Sequence, residues 1–243
     1  MTEYKDFSNY KFHPSSLGLI MTGSKDKNDP LGETCKAHLL ECWIEETYGR
    51  KKDFTNKYME KGTLVEEDSI TLYSVVTKKF HKKNTETVSN DYLIGTPDLF
   101  DGETIMTATV IKDIKSSWDI FTFYQTMTKP MNKIYEWQLD GYMGITGAKE
   151  AGLAYCLVNT PTHLINDAKR KLAWNMNVID PESSPEYLLQ AAQIERNMIF
   201  DDIPMADRLI EFGRELEQDR LSQAYEKIGH CRRFMNSLNK KAK

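Results

Sequence analysis

Residues 105–115 restrict the folds open to this chain more than any other stretch. The run Ile105-Met-Thr-Ala-Thr-Val-Ile-Lys-Asp-Ile-Lys115 is dense in threonine, valine and isoleucine, whose branching at Cβ suits a pleated strand. Successive side chains in a strand point to opposite faces. Ile105, Thr107, Thr109, Ile111, Asp113 and Lys115 therefore share one face, and Met106, Ala108, Val110, Lys112 and Ile114 the other. A carboxylate and an ammonium thus stand side by side at the far end of the strand. Asp98 precedes it on an extended run, Tyr92-Leu-Ile-Gly-Thr-Pro97, that is expected to pair with it antiparallel. Two carboxylates and a lysine would then converge, and carboxylate oxygens are the ligands Mg²⁺ prefers.

The turn between the two strands has two readings. Asp101-Gly102 is a strong two-residue hairpin signal, and a tight turn there sets Asp98 opposite Ile105, far from Asp113. Asp91 is then the better partner for Asp113. A wide loop or bulge from about Asp101 to Thr107 brings Asp98 to Asp113 instead.

The rest of the chain reads as a soluble α/β protein. Its 243 residues, 40% hydrophobic and 28% charged, suffice for a sizeable core. The longest apolar run, Leu153 to Val158, is too short to span a bilayer, and the first thirty residues hold no signal-peptide core, so a cytoplasmic location and no membrane partner are expected. Four cysteines without C-x-x-C spacing argue against a zinc site or an iron–sulfur cluster and for free thiols. A net charge of −4 is a weak objection to nucleic acid, because local patches decide binding.

Residues up to 30 read as an irregular arm, with Ser15 and Ser16 able to meet a phosphate. Helices are expected over 32–48, 62–80, 132–147, 161–174, 186–200 and 217–238, a linker over 181–185, and strands over 151–159 and 208–215. In the second helix Val65, Leu72, Tyr73, Val76 and Phe80 form an apolar stripe. Glu66, Glu67 and Asp68 in its first turn suit the helix dipole without any catalytic role. Lys78, Lys79, Lys82 and Lys83 are either a solvated helix end or contacts to a nucleic-acid backbone. The terminal Arg232, Arg233, Lys240, Lys241 and Lys243 read as a flexible tail. Gln138 and Tyr142, four residues apart, share one helix face, an uninformative pattern taken alone.

Taken in order, Gly62-Thr-Leu-Val-Glu66, Gly95-Thr-Pro-Asp98, Asp113-Ile-Lys115 and Gln138-Leu-Asp-Gly-Tyr142 resemble the successive motifs of PD-(D/E)xK nucleases, in particular the lambda-exonuclease/YqaJ viral recombinase group related to the RecB nuclease domain. Pro14-Ser-Ser-Leu-Gly resembles, more loosely, the group's N-terminal serine segment. The resemblance implies a single domain over 1–243, with an arm to about 30, a restriction-endonuclease-like core over about 32–160 (a mixed central sheet flanked by helices) and an extension beyond. It implies that Asp98, Asp113, the Ile114 backbone carbonyl and Glu66 ligate one or two Mg²⁺ or Mn²⁺ ions, that Lys115 positions or activates the attacking water, and that Gln138 and Tyr142 hold water and phosphate. It favours Asp98 over Asp91, and it alone favours Glu66 over Glu67. The aspartate at 113 stands where many relatives have glutamate. The implied activity is metal-dependent 5′-to-3′ resection of double-stranded DNA ends in phage-type recombination, in the cytoplasm of the host, with a single-strand annealing or recombination protein as a further partner. Relatives can assemble as rings, but no oligomer signal is readable here. The rivals are an endonuclease on the same core and a non-catalytic nucleic-acid-binding protein.

Overall fold

The computed structural model describes residues 5–52 and 56–241, apart from the Lys241 side chain. In chain order its helices are α1 (Leu17–Ile20), α2 (Glu33–Tyr48), α3 (Lys57–Leu64), α4 (Glu66–Thr77), α5 (Ile120–Gln125), α6 (Lys133–Thr146), α7 (Thr162–Asn175), α8 (Pro185–Arg196) and α9 (Gln218–Lys241). The strands are β1 (Val88–Ser89), β2 (Ile94–Gly95), β3 (Leu99–Asp101), β4 (Val110–Ser116), β5 (Glu150–Cys156) and β6 (Leu209–Glu215). Four of them form a mixed sheet in the order β3-β4-β5-β6, with β4 and β5 parallel and both outer pairs antiparallel. This is the mixed α/β architecture expected, and no helix among the described residues is long and apolar enough to cross a membrane.

The central strand is shorter than its composition suggests. It starts at Val110, and Ile105–Thr107 form a 3-10 turn closed by reciprocal Thr104 and Thr107 contacts. The tight hairpin at Asp101-Gly102 does not form. A Cβ on Gly102 would lie 2.9 Å from Ala108 Cα, so this glycine serves a close approach of the returning backbone in a wide connection. The run from Tyr92 pairs elsewhere: Ile94 and Gly95 form β2 and pair with β1, and pairing with β4 begins only at Leu99. The register Leu99↔Lys112, extended by one pair, sets Asp98 opposite Asp113.

The two faces of the sheet bury different partners. Ile111, Ala151 and Leu153 pack in a core shared with α2, α6, α9 and the arm, while Ile114, Ala154 and Cys156 pack beneath α4. Each isoleucine or leucine of this set fully removed from water contributes on the order of 1.5–3 kcal/mol, and each alanine less. The alternation along β4 thus turns Asp113 toward α6 and Ile114 toward α4.

Three further expectations are corrected. The helix foreseen over 62–80 is two, broken at Val65 (φ −109°, ψ 17°), and it ends at Thr77, where Lys78 takes a left-handed conformation (φ 55°). Phe80 therefore leaves the apolar stripe and is 87% exposed. The arm is not irregular: Pro14–Ser16 form a 3-10 turn leading into α1, and a Cβ on Gly141 of α6 would meet Leu17 Cδ1 at 2.7 Å and Pro14 Cβ at 3.0 Å. Nor is the C-terminus a flexible tail, because α9 runs to Lys241. Arg232 Nε donates to the Tyr10 carbonyl (2.9 Å), and Asn239 accepts from the Trp43 indole (2.7 Å). Lys243 and the Lys241 side chain lie outside the described residues.

Candidate active site

Asp98, Asp113 and Lys115 meet where β3 joins β4. Asp98 Oδ2 accepts from the Ile114 backbone N–H (2.7 Å), which fixes its carboxylate against the central strand. Asp113 is buried, and its Oδ1 accepts from Gln138 Nε2 (2.9 Å) on α6. The Lys115 ammonium stands 2.7 Å from Asp113 Oδ2 as an ion pair. Gln138 Nε2 also lies 3.4 Å from the Tyr142 hydroxyl, as their spacing of four predicts.

The charges respond to this crowding. Burial, then the adjacent charge of Asp113, push the Asp98 carboxyl up to about 7, against the opposing pull of the Ile114 N–H and Lys115. Burial works against the Lys115 ammonium, yet the Asp113 and Asp98 carboxylates outweigh it and hold its pKa above the ordinary lysine value. Burial, then the Asp113 charge, keep the Tyr142 hydroxyl protonated well beyond its usual range.

A cleft of about 890 Å³ is lined by Asp98, Lys115, Gln138, Ser15, Glu66 and Ile114, while Asp113 and Tyr142 are buried outside its lining. Glu66 therefore reaches the cleft, while Glu67 is exposed on the next position of α4. Glu66 Oε2 is held 2.6 Å from the Lys83 ammonium. Among the described residues no three His, Cys, Asp or Glu side chains are grouped closely enough to hold a metal ion as they stand, although the Glu66 charge helps to raise the Asp98 carboxyl. Asp91 sits in the β1–β2 turn, where its carbonyl accepts from Arg232. Ser16 is turned back on its own loop, its hydroxyl donating to the His13 carbonyl (2.8 Å). Lys79 pairs with Asp101, and Lys78 and Lys82 are exposed beyond α4.

A divalent cation suits the aspartate pair. Two acidic side chains held side by side, one of them protonating only near neutrality because of burial and the other's charge, are what a hard cation relieves. The oxygen-only donor set fits Mg²⁺ or Mn²⁺.

One cleft residue carried no sequence signal. Lys61 on α3 is 1% exposed and donates to the carbonyls of Ser117 (2.7 Å) and Trp118 (3.1 Å). It occurs among lysines that are solvated, and nothing in its spacing separates it from Lys57.

A mixed four-stranded sheet thus brings two facing acids and a lysine together, as the resemblance read from the motifs leads one to expect. Solved structures share the fold over nearly the whole chain. A phage-related exonuclease from Haemophilus somnus 129PT superposes with a TM-score of 0.74 at 24% identity, covering 97% of each chain. An alkaline exonuclease from Laribacter hongkongensis superposes at 0.62 with 14% identity, covering 97% of this chain and 94% of that one. Its complex with dAMP gives 0.60 at 15% identity, with 100% and 98% covered. No protein-family model and no curated protein matches the chain. At these identities the likeness shows the fold, and the resemblance read from the motifs holds at that level.

Proposed function

We propose that the chain is a metal-dependent DNA exonuclease that resects double-stranded ends from 5′ to 3′ in phage-type recombination. The observation that carries the reading is the facing pair Asp98 and Asp113 with Lys115 at 2.7 Å, on a fold shared with solved exonucleases. Asp98, Asp113 and the Ile114 carbonyl would hold the ion, with Glu66 reaching a metal-bound water. When bound, the ion polarises the phosphate and lowers the pKa of its water. Lys115, kept charged by its carboxylate neighbours, acts as a hydrogen-bond donor and cation at Nζ: it orients the attacking water and offsets charge on the phosphate. Gln138 holds the Asp113 carboxylate in place through Nε2. Tyr142, protonated throughout the working range, offers its hydroxyl as a donor. Ser15 lies on the cleft wall where a phosphate oxygen would pass.

The test compares linear with circular plasmid in Mg²⁺ and in EDTA. Degradation of linear DNA alone, abolished by EDTA, supports the exonuclease. Nicking of circles points to an endonuclease, and no cleavage of either to a binding protein. Lys115→Ala should lower the cleavage rate by about 10²–10⁴-fold while sparing DNA binding. Retained cleavage refutes its role.

A further inference from the structure

Beyond the acids, the cleft wall carries an aromatic pair for which hydrolysis has no use. Tyr58 on α3 is 56% exposed, and its ring meets that of Trp118 edge to face, with centroids 5.1 Å apart. Both rings line the cleft that holds Asp98 and Lys115. The Lys57 ammonium lies 4.6 Å from the Trp118 centroid and 5.0 Å from that of Tyr58. Trp118 is partly buried and presents the rest of its indole to the cleft, while the more exposed Tyr58 ring gains little from burial, so its placement beside the indole calls for another account.

The wall is also fixed in position. Trp118 follows Lys115 by three residues, a reach of at most about 10 Å. Its carbonyl and that of Ser117 are held by the buried Lys61 ammonium, which stands over the Trp118 and Phe200 rings at 5.9 and 5.4 Å. A lysine buried without a carboxylate in contact is costly, and here it satisfies two carbonyls of the segment leaving β4. Its effect is to anchor the backbone that bears the indole.

We propose that Tyr58 and Trp118 form a nucleobase-stacking subsite, which takes an unpaired base of the strand whose phosphate lies at Asp113 and Lys115. The inference rests on the nuclease reading and adds to it the state of the substrate: the bases next to the reacting phosphate are unpaired when the strand is seated. Stacking is indifferent to base identity, since every base has a π-face, so the subsite grips the strand without selecting sequence. Lys57 supplies a cation beside the rings for the adjoining phosphate.

The test uses the full chain in EDTA, where no cleavage occurs, and measures by anisotropy the binding of a duplex with a single-stranded overhang. One overhang is intact, and in the other abasic residues replace its bases. Trp118→Ala should weaken binding to the intact overhang roughly 5- to 100-fold and leave binding to the abasic one unchanged. Trp118→Phe should restore most of the loss. Tyr58→Ala, at a side chain more than half exposed, repeats the comparison should the Trp118 variant fold poorly. Equal losses on both overhangs, or no loss on either, overturns the subsite. If the wild-type protein binds neither DNA in EDTA nor with Ca²⁺ in place of EDTA, the nuclease reading itself falls, an outcome distinct from a failed subsite.

Discussion

Asp98 holds a proton that an ordinary aspartate has lost by neutrality, because burial and the charge of Asp113 lift it to about 7. Conversion to asparagine keeps the shape and removes the repulsion. Asp98→Asn should therefore melt higher than the native chain at pH 8 in EDTA, by about 1–3 kcal/mol, while losing cleavage altogether. A lower melting point would mean that the acid pair is not strained without metal. Lys61 makes a prediction of the opposite kind. Burial depresses its ammonium to about 7, against a weaker raising effect from Asp119. Between that value and the unfolded 10.5 the unfolded chain binds more protons, so this group makes stability rise with pH across the interval, and its effect levels off below about 7. Thermal melts between pH 7 and 9 should show this rise, and Lys61→Met should flatten it. An unchanged slope in that variant would assign the rise to other groups. Of these residues, Asp113 and Lys115 were legible in the sequence as a spacing on one strand face, and Asp98 only through the resemblance of Gly95-Thr-Pro-Asp98 to a known motif. Lys61 was not, because the carbonyls that hold it belong to residues far along the chain.

At the scale of elements, the strands and most helices follow from local pattern, and the misses share one cause. Asp101-Gly102 favours a tight turn locally, but tertiary approach of Ala108 uses the glycine differently. The helix over 62–80 breaks at Val65, where Lys61 must turn inward, and no propensity marks that point. The glycines show how such constraints can be tested. Gly141→Ala gains about 1 kcal/mol of helix propensity, yet its Cβ would overlap Leu17 and the Pro14 backbone (Cα at 3.2 Å). Overpacking costs about 1–3 kcal/mol, so the net effect should be destabilising, and cleavage should fall as Ser15 shifts with the arm. Gly62→Ala meets nothing within 4 Å inside α3 and should stabilise the chain by up to about 1 kcal/mol. Chemical denaturation of the two variants checks both signs together.

Across the whole molecule, one buried acid ties the sheet edge to two helices. Asp140 in α6 is fully buried, and it accepts from Arg214 Nε of β6 (2.5 Å) and from Arg220 Nε of α9 (2.9 Å). In the sequence it sits between Gln138 and Tyr142 and looks like part of the same constellation. Helix geometry separates them: two residues on from Gln138 is a rotation of about 200°, so Asp140 faces away from the cleft. Its partners lie more than seventy residues downstream, which no local pattern reveals. Removing it leaves two guanidinium groups without their buried counter-charge, a loss of about 3–5 kcal/mol. Asp140→Ala should therefore lower Tm on the order of 10 °C. Well below that melting point, cleavage per folded molecule should stay within a few-fold of native, because Gln138 still holds Asp113. Loss of cleavage without loss of Tm would place Asp140 in the chemistry and reverse this assignment. The contrast between two acids of the same chain, Asp113 beside a cleft and Asp140 locked between arginines, distinguishes a strained site from a stabilising one.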